Sequence, residues 1–542
     1  MKNILKKIFT FEVPTENNKF IIKNESDSVL YDVRKEEQDK KEEVLSKNYD
    51  LNLEYIKYRF SYPENNDVVI RNIKLKGNIR AFLIFYDGMV DTDMVDLAIV
   101  ETLQKIPLFS DEKVHLDADY IMERLVSHSQ VTKTEKFEDI IDEVNFGSCG
   151  LFVEGVDSGF AIDVRQWGNR GIGKPENEQS IYGPQEAFGE MLRNNSALVR
   201  KIIKNEKLIC KGIEVGKVSK TRGVLMYISD LANNELVGEV ERRLKGIDID
   251  YIIASEEVAL LIEEKSFMIT NHILETERPD RVARALSEGR VVYILSGSPR
   301  ALVFPTNAFE LMHSPSDAYL RFPYTNMTRI IRILAIFVSV LLPALYLAIT
   351  LFHQEMVPTF LIFAISAARE NVPFPSVVEL LLMDFSFELI REAGIRMPGP
   401  IGSTLGIVGG LILGQAAVSA KIVSPIMIII IAITGIGSFA ITDYSLGWSY
   451  RILRLIFILL ATSCGFYGVA LGIFLYAVFL GGQTSFGVPF LAPLAKGKDG
   501  SAGKSVFVSP IWKRELRPEF LQTKKEKQEP KISEKWKIRR KK

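Results

Sequence analysis

Three carboxylates, Asp384, Glu388 and Glu392, stand four residues apart in the stretch from Ser376, whose other residues are mostly apolar, with Glu379 just ahead of them. In a helix, positions i, i+4 and i+8 share one face. Ionised groups on so apolar a helix must face water, protein or a pathway, because hydrocarbon solvates them poorly. Two roles fit: a structural helix lying at an interface, or a wall that attracts cations. Shortly after it, Pro398 to Ala420 (PGPIGSTLGIVGGLILGQAAVSA) holds no charge, and Gly402, Gly406, Gly410 and Gly414 recur at every fourth position. Each interior glycine costs a soluble helix about 1 kcal/mol relative to alanine, whereas in a bilayer such a stripe lets a neighbouring backbone approach closely. The stripe therefore predicts a membrane-spanning helix whose glycines either only pack or also line a pathway.

Catalytic chemistry is hard to find. The histidines His115, His128, His272, His313 and His353 are scattered, without HExxH or paired metal spacing. Arg170-Gly-Ile-Gly-Lys174 lacks the GxxxxGK[ST] of a phosphate loop, and no GxSxG elbow or kinase signature occurs. The expectation is a protein that is not an enzyme and takes no cofactor or metal. Cys149, Cys210 and Cys464 lie too far apart to suggest a disulfide framework or a CxxC site. The chain balances 67 basic against 67 acidic residues, but 496–542 alone carries 16 Lys and Arg against 6 Asp and Glu. That tail reads as a solvated cytoplasmic segment beside anionic lipid rather than a nucleic-acid binder.

The elements that must position these residues follow from periodicity. Residues 1–50 form a charged arm, dense in RKEEQDKKEEVLSK, expected to be disordered. A first α/β subdomain is expected over 51–145, with a buried strand Arg80–Tyr86 ended by Asp87-Gly88 and a helix from Asp91 to Lys105. A second is expected over 146–318: a hairpin within Gly150–Arg165, a helix opened by Gly183-Pro184, a strand at Val224–Ser229, a helix Asn233–Lys245 and a strand Tyr251–Ala254. The last three read as a βαβ-like crossover. A helix Arg278–Glu288 and strands Arg290–Ser296 and Ala301–Phe304 complete it. The start of the chain lacks an apolar core long enough for a signal peptide, so both subdomains are placed in the cytoplasm.

From 319 to 495 an α-helical, polytopic membrane domain is expected, with spans at about 333–352, 398–420, 422–441 and 455–480. Broken or amphipathic helices fill 357–394, interrupted at Pro373 and Pro375. From proximity along the chain, Asp443 is expected to pair with Arg451 or Arg454 at one rim. Four spans return the basic tail to the starting side, which leaves Arg451 and Arg454 on the wrong one. Further crossings within 357–391 are the alternative. Gly435, Gly437, Gly465, Gly468 and Gly472 add small faces for helix packing.

Several motifs are specific. Ala368-Arg-Glu-Asn-Val-Pro-Phe-Pro375, Leu389-Ile-Arg-Glu-Ala-Gly394, Gly409-Gly410, Gly414-Gln-Ala-Ala-Val418, Gln483-Thr-Ser-Phe-Gly487, Glu277-Arg-Pro-Asp280 and Gly289-Arg-Val-Val292 resemble the A subunits of GerA-type spore germinant receptors. The resemblance runs from about Leu51 to Pro493. It implies a multi-pass protein of the spore inner membrane, both termini on the core side, in a complex with a transporter-like B subunit and a lipoprotein C subunit. It further implies a homo-oligomeric ring whose membrane domain is a nutrient-gated ion channel that starts germination. In that setting Gly402, Gly406, Gly410 and Gly414 line the pore, Leu405, Ile407, Val408 and Leu411 are the candidate constriction, and Asp384, Glu388 and Glu392 form cation-attracting rings. A secondary transporter, a direct nutrient receptor without its own pore, and a scaffold are the competing classes.

Overall fold

The computed structural model describes residues 44–75, 79–105, 121, 131–165, 173–264, 269–396, 410, 413–494 and 507–528. The first α/β unit is one antiparallel five-stranded sheet: β1 (Val68–Lys74), β2 (Arg80–Tyr86), β3 (Val131–Thr134), β4 (Cys149–Val153) and β5 (Gly159–Ile162), in the order β1-β2-β4-β5-β3. The continuous apolar run of β2 is buried on both faces. Ala81, Leu83 and Phe85 pack towards a helical run over Thr92–Met94, the wider π-helical Val95–Glu101 and Thr102–Lys105 (α2). Phe82, Ile84 and Tyr86 pack towards α1 (Tyr49–Arg59) and α3 (Phe137–Phe146). Two-sided burial is why the strand shows no polar alternation.

This sheet corrects two boundaries. The hairpin within Gly150–Arg165, expected to open the second subdomain, supplies β4 and β5, because Ala81 to Ile84 ladder directly with Val153 to Gly150. At the other end, Leu45 and Tyr49 are core residues, so the charged arm does not reach residue 50 as free chain. Residues 1–43 lie outside the described part.

The second unit has α4 (Leu192–Ile202), β6 (Leu208–Val215), β7 (Thr221–Ile228), α5 (Asn234–Lys245), α6 (Ser255–Ile262), β8 (Leu274–Thr276), α7 (Pro279–Ser287), β9 (Val291–Leu295) and β10 (Ala301–Phe304). Its order, β6-β7-β9-β10-β8, repeats that of the first sheet, strand for strand, and every pairing is antiparallel. The expected βαβ crossover is absent: 251–254 is extended but joins no ladder, with Tyr251 and Ile253 exposed and only Ile252 buried. The helix expected at Gly183-Pro184 starts instead at Leu192. Arg200 of α4 clamps the two units together. It is ion-paired to Asp67, donates to Asn65 Oδ1 (3.1 Å) and Leu208 O (2.9 Å), and lies 3.9 Å from the centre of the Tyr86 ring.

After a short helix, α8 (Ala308–Leu311), the chain turns helical: α9 (Phe322–Phe352), α10 (Thr359–Arg369), α11 (Ser376–Arg396), α12 (Pro425–Phe439) and α13 (Tyr444–Gly481). Among the described residues only α9 and α13 are long and apolar enough to cross a membrane. The span expected at 422–441 is a helix of 15 residues, capped where Ser424 Oγ accepts from Met427 N (3.3 Å) and so about 22 Å long. The span expected at 398–420 is described only at residue 410 and from residue 413, helical over 413–419. α13 breaks at Gly465, whose φ of 59° and ψ of −137° no side-chain-bearing residue adopts cheaply. A Cβ there would stand 2.9 Å from His353 Cε1 and 3.0 Å from Phe352 Cβ, so the end of α9 seats in the bend.

The chain then re-enters the second α/β unit. Thr484–Ser485 (β11) and Val488–Pro489 (β12) form a small hairpin. Phe486 at its tip is buried against Phe304 (ring centres 4.8 Å apart) and beneath the Arg243 guanidinium (4.3 Å). Gln483 Oε1 meets His272 Nε2 at 2.8 Å, and Ser485 Oγ donates to His272 O at 2.7 Å. Residues 507–528 of the basic tail, expected to be solvated, pack on the same unit: Leu521 is buried, Lys525 pairs with Asp230 (2.6 Å) and Lys524 Nζ donates to Ser229 O (2.9 Å). Truncating Phe486 to alanine removes an aromatic side chain from this core. We expect it to cost about 3–5 kcal/mol, read as a lowered unfolding midpoint of the full-length protein in detergent.

Candidate functional site, a charged seam between apolar helices

α11 carries its acids into a groove against α13. Asp384 meets Arg454 at 2.9 Å, with side-chain exposures of only 8% and 3%. One turn on, Glu388 Oε1 accepts from Arg451 at 2.6 Å, and its other oxygen lies 3.6 Å from Arg391. Arg391 donates to Ser438 of α12 and lies over the rings of Phe387 (5.1 Å) and Phe439 (4.8 Å). Arg451 lies 4.3 Å from the Trp448 ring. Glu379, on a different face, has a fully buried side chain. It accepts from Ser424 N at 2.5 Å and faces Arg369 of α10 at 3.7 Å. Burying so many charges is tolerable only because each has a counter-charge, and removing one partner strands the other.

The pairs are not tightly hydrogen-bonded. Of the fifteen buried side-chain polar atoms without a hydrogen bond among the described residues, eight lie here, on Arg369, Glu379, Asp384, Glu388, Arg391, Arg451 and Arg454. Charges at contact distance with unaligned donors hold less firmly than bidentate pairs. The seam can therefore exchange partners, or admit water, at a smaller cost than a saturated network.

Packing around the seam uses the small residues. The Phe387 ring occupies the space a side chain at Gly435 would need, and a Cβ on Gly437 would come within 2.9 Å of Ala335 O on α9. Gly414 is buried, with Ile428 of α12 at 3.6 Å from its Cβ position, while Gly410 is exposed. Gly402, Leu405, Gly406, Ile407, Val408 and Leu411 lie outside the described residues.

The sequence-derived acids are thus brought together in part, and not as open carboxylates. Asp384 and Glu388 are neutralised by arginines, and Glu392 is half-buried beyond them. The expected pairing of Asp443 with Arg451 or Arg454 is corrected. Asp443 caps α13, accepting from Leu446 N at 2.9 Å and Ser445 Oγ at 2.6 Å, and so faces its own helix end. The missed signal was arithmetic. Arginines three apart in one apolar helix and acids four apart in another called for one another as counter-charges. A second missed anchor is Asp317, held by Arg332 in a two-pronged pair (2.7 and 2.8 Å) and by Arg329 (3.0 Å) at the foot of α9.

Two antiparallel α/β sheets of one strand order, joined to apolar helices whose internal charges are matched across helices, define an α/β-plus-helical protein, and no cluster of side chains that could hold a metal ion occurs among the described residues. The Bacillus/Clostridium GerA spore germination protein family matches residues 54–520, and the chain belongs to that family. Spore germination protein KA of Bacillus subtilis (strain 168) is 38% identical over 461 residues, 84% of each chain. The membrane protein YfkQ of the same organism is 34% identical over 486 residues, 89% of this chain and 93% of that one. The solved N-terminal domain of the A subunit of the Bacillus megaterium spore germinant receptor GerK3 is 27% identical, covering 49% of this chain and 97% of that one, with a TM-score of 0.38.

Replacing Asp384 by asparagine strands the Arg454 charge and should destabilise the helical region by about 3–5 kcal/mol. The paired replacement Asp384→Leu with Arg454→Met should recover most of it, in detergent melts of the full-length protein. A second expectation concerns pH. Burial alone would raise the Asp317 carboxyl, but Arg332 and then Arg329 hold it below its ordinary value. A depressed acid stabilises the fold above its unfolded value and loses that contribution as pH falls through the folded one. Asp317→Asn should flatten the acid limb of the stability curve.

Proposed function

We propose that this chain is the A subunit of a nutrient germinant receptor in the spore inner membrane, assembling into a ring whose helical region is a gated ion channel. The observation that supports the reading is the loosely bonded seam of matched charges inside apolar helices, placed beside glycine-mediated contacts, which in this reading is the closed state. A lipid setting is supported by the outward faces of α9 and α13, where Leu334, Phe337, Leu459, Phe474 and Val478 are exposed. In water such faces would be a liability; in hydrocarbon they are satisfied. α10, α11 and α12 then pack beside the directly paired long spans as short or re-entrant segments, completing a polytopic domain with both termini on the core side.

In this reading the glycine-bearing 398–420 stretch lines the passage, with Gly402, Gly406, Gly410 and Gly414 towards it and Leu405, Ile407, Val408 and Leu411 at the constriction. Opening frees Asp384 and Glu388 from Arg454 and Arg451, and with Glu392 they turn from structural pairs into a cation-attracting wall. A transporter-like B subunit binds the nutrient, a lipoprotein C subunit completes the complex, and the two α/β units couple assembly to the helices. The role is non-enzymatic. The test is ion flux from liposomes holding the purified protein. Alanine at Leu405, Ile407, Val408 or Leu411 should raise the unstimulated leak, and spores carrying the variant should germinate without nutrient. Silent bilayers and normal dormancy across the whole series overturn the channel, and saturable nutrient binding by this chain alone favours a direct receptor.

A further inference from the structure

A cavity of about 520 Å³ opens where three parts of the chain meet: α7 and α8 of the second α/β unit, the foot of α9, and the tail over 507–520. Four of its acids are already committed. Asp280 pairs with Arg278 at 3.0 Å, Glu310 and Glu288 with Arg290, and Asp317 with Arg329 and Arg332. Three of its cations, Arg284, Lys513 and Arg517, form no ion pair among the described residues. Among the described residues the exposed side chains of Arg284 and Lys513 have neither ion pair nor hydrogen bond. Arg517 is held only by carbonyls, donating to Ser287 O (2.9 Å), Lys525 O (3.0 Å) and Lys527 O. Burial pushes the Arg517 guanidinium below its ordinary value, and Asp230 and Glu288 only partly oppose this.

We propose that this cavity is a binding site for a phosphate-bearing organic anion that ties the tail to the foot of α9. Two guanidinium groups and an ammonium suit a phosphate, which offers more acceptor oxygens than a carboxylate and takes forked arginine bonds. The volume falls within the range of small-molecule sites, roughly 300–1,000 Å³, and Phe309 and Phe520 give the rest of the molecule apolar walls. The exposed carboxylates of Glu515 and Glu519 on the same lining weaken the attraction, and they set the sign of one control. The tail is already near the helix foot, since Asn326 exchanges both its amide bonds with Val508 (2.7 and 3.2 Å) and Phe322 meets Trp512 edge-on. An occupant would add a third tie at the level where α9 leaves the soluble unit. The site does not depend on ion conduction.

Full-length protein stripped of lipid in detergent is titrated with glycerol 3-phosphate by calorimetry, and in parallel exchanged into phosphatidylglycerol nanodiscs, released and assayed for retained lipid by native mass spectrometry. One saturable site is expected in at least one arm. Retention of lipid alone identifies a headgroup as the occupant; binding of the soluble probe alone identifies a free phosphate ester. The double variant Arg284→Gln with Arg517→Gln should weaken binding at least about tenfold, Arg517→Lys should keep part of it, and Glu515→Gln should tighten it. No saturable binding in either arm, or binding undiminished in the double variant, overturns the proposal. Should the double variant fail to fold, Glu515→Gln decides, and unchanged affinity there overturns it.

Discussion

A charge placed on an apolar helix has to be answered by an opposite charge on a neighbour, and in this protein that demand sets the helical architecture. Asp384 and Glu388 reach Arg454 and Arg451, which locks the register of α11 against α13. With that register set, Phe387 falls over Gly435, Arg391 reaches Ser438, and Glu379 is left to hold the backbone N–H at Ser424. α12 is therefore positioned by polar contacts from α11 on one side and by the close approach of Gly437 to the α9 backbone on the other. Apolar packing alone would specify none of these registers sharply, since aliphatic surfaces slide over one another at little cost.

The same logic runs the length of the molecule. Each junction between the α/β and helical parts is held by a buried polar contact. Asp317 grips two arginines of α9 where that helix leaves the second α/β unit. At the far end of α13 the chain does not run off into solvent; it inserts Phe486 between Phe304 and Arg243 and joins Gln483 to His272. The tail lies across the same unit, with Leu521 buried and Lys525 on Asp230. Both long helices are thus tied to one sheet, the second, and Arg200 joins that unit to the first through Asp67. The bend at Gly465 falls between the two attachments of α13.

The two sheets share one strand order, and this resemblance was invisible in the amino-acid pattern. Strands β2 and β9 were legible because both are buried on two faces and so read as unbroken apolar runs. The hairpin of β4 and β5 was legible as a hairpin, but not as part of the first sheet, because partner choice depends on strands far away in sequence. Tyr251–Ala254 looked like a strand on composition. Burial of Ile252 alone, against the 216–221 turn, satisfies its apolar content without a ladder.

What the amino-acid sequence determined by itself was kind and place: α/β first and apolar helices last, a break at Pro373 and Pro375, acids on one face of α11, and the family motifs. Those features depend on neighbours within a few residues, where helical and extended periodicities act. Which acid meets which arginine was decided only in three dimensions, as were the return of 483–493 into the second unit, the docking of the basic tail and the length of α12. Each of these joins groups that only folding brings within reach. Asp443 shows the limit: proximity in sequence suggested the arginines, but a free N–H at the start of its own helix was closer and already oriented to receive it.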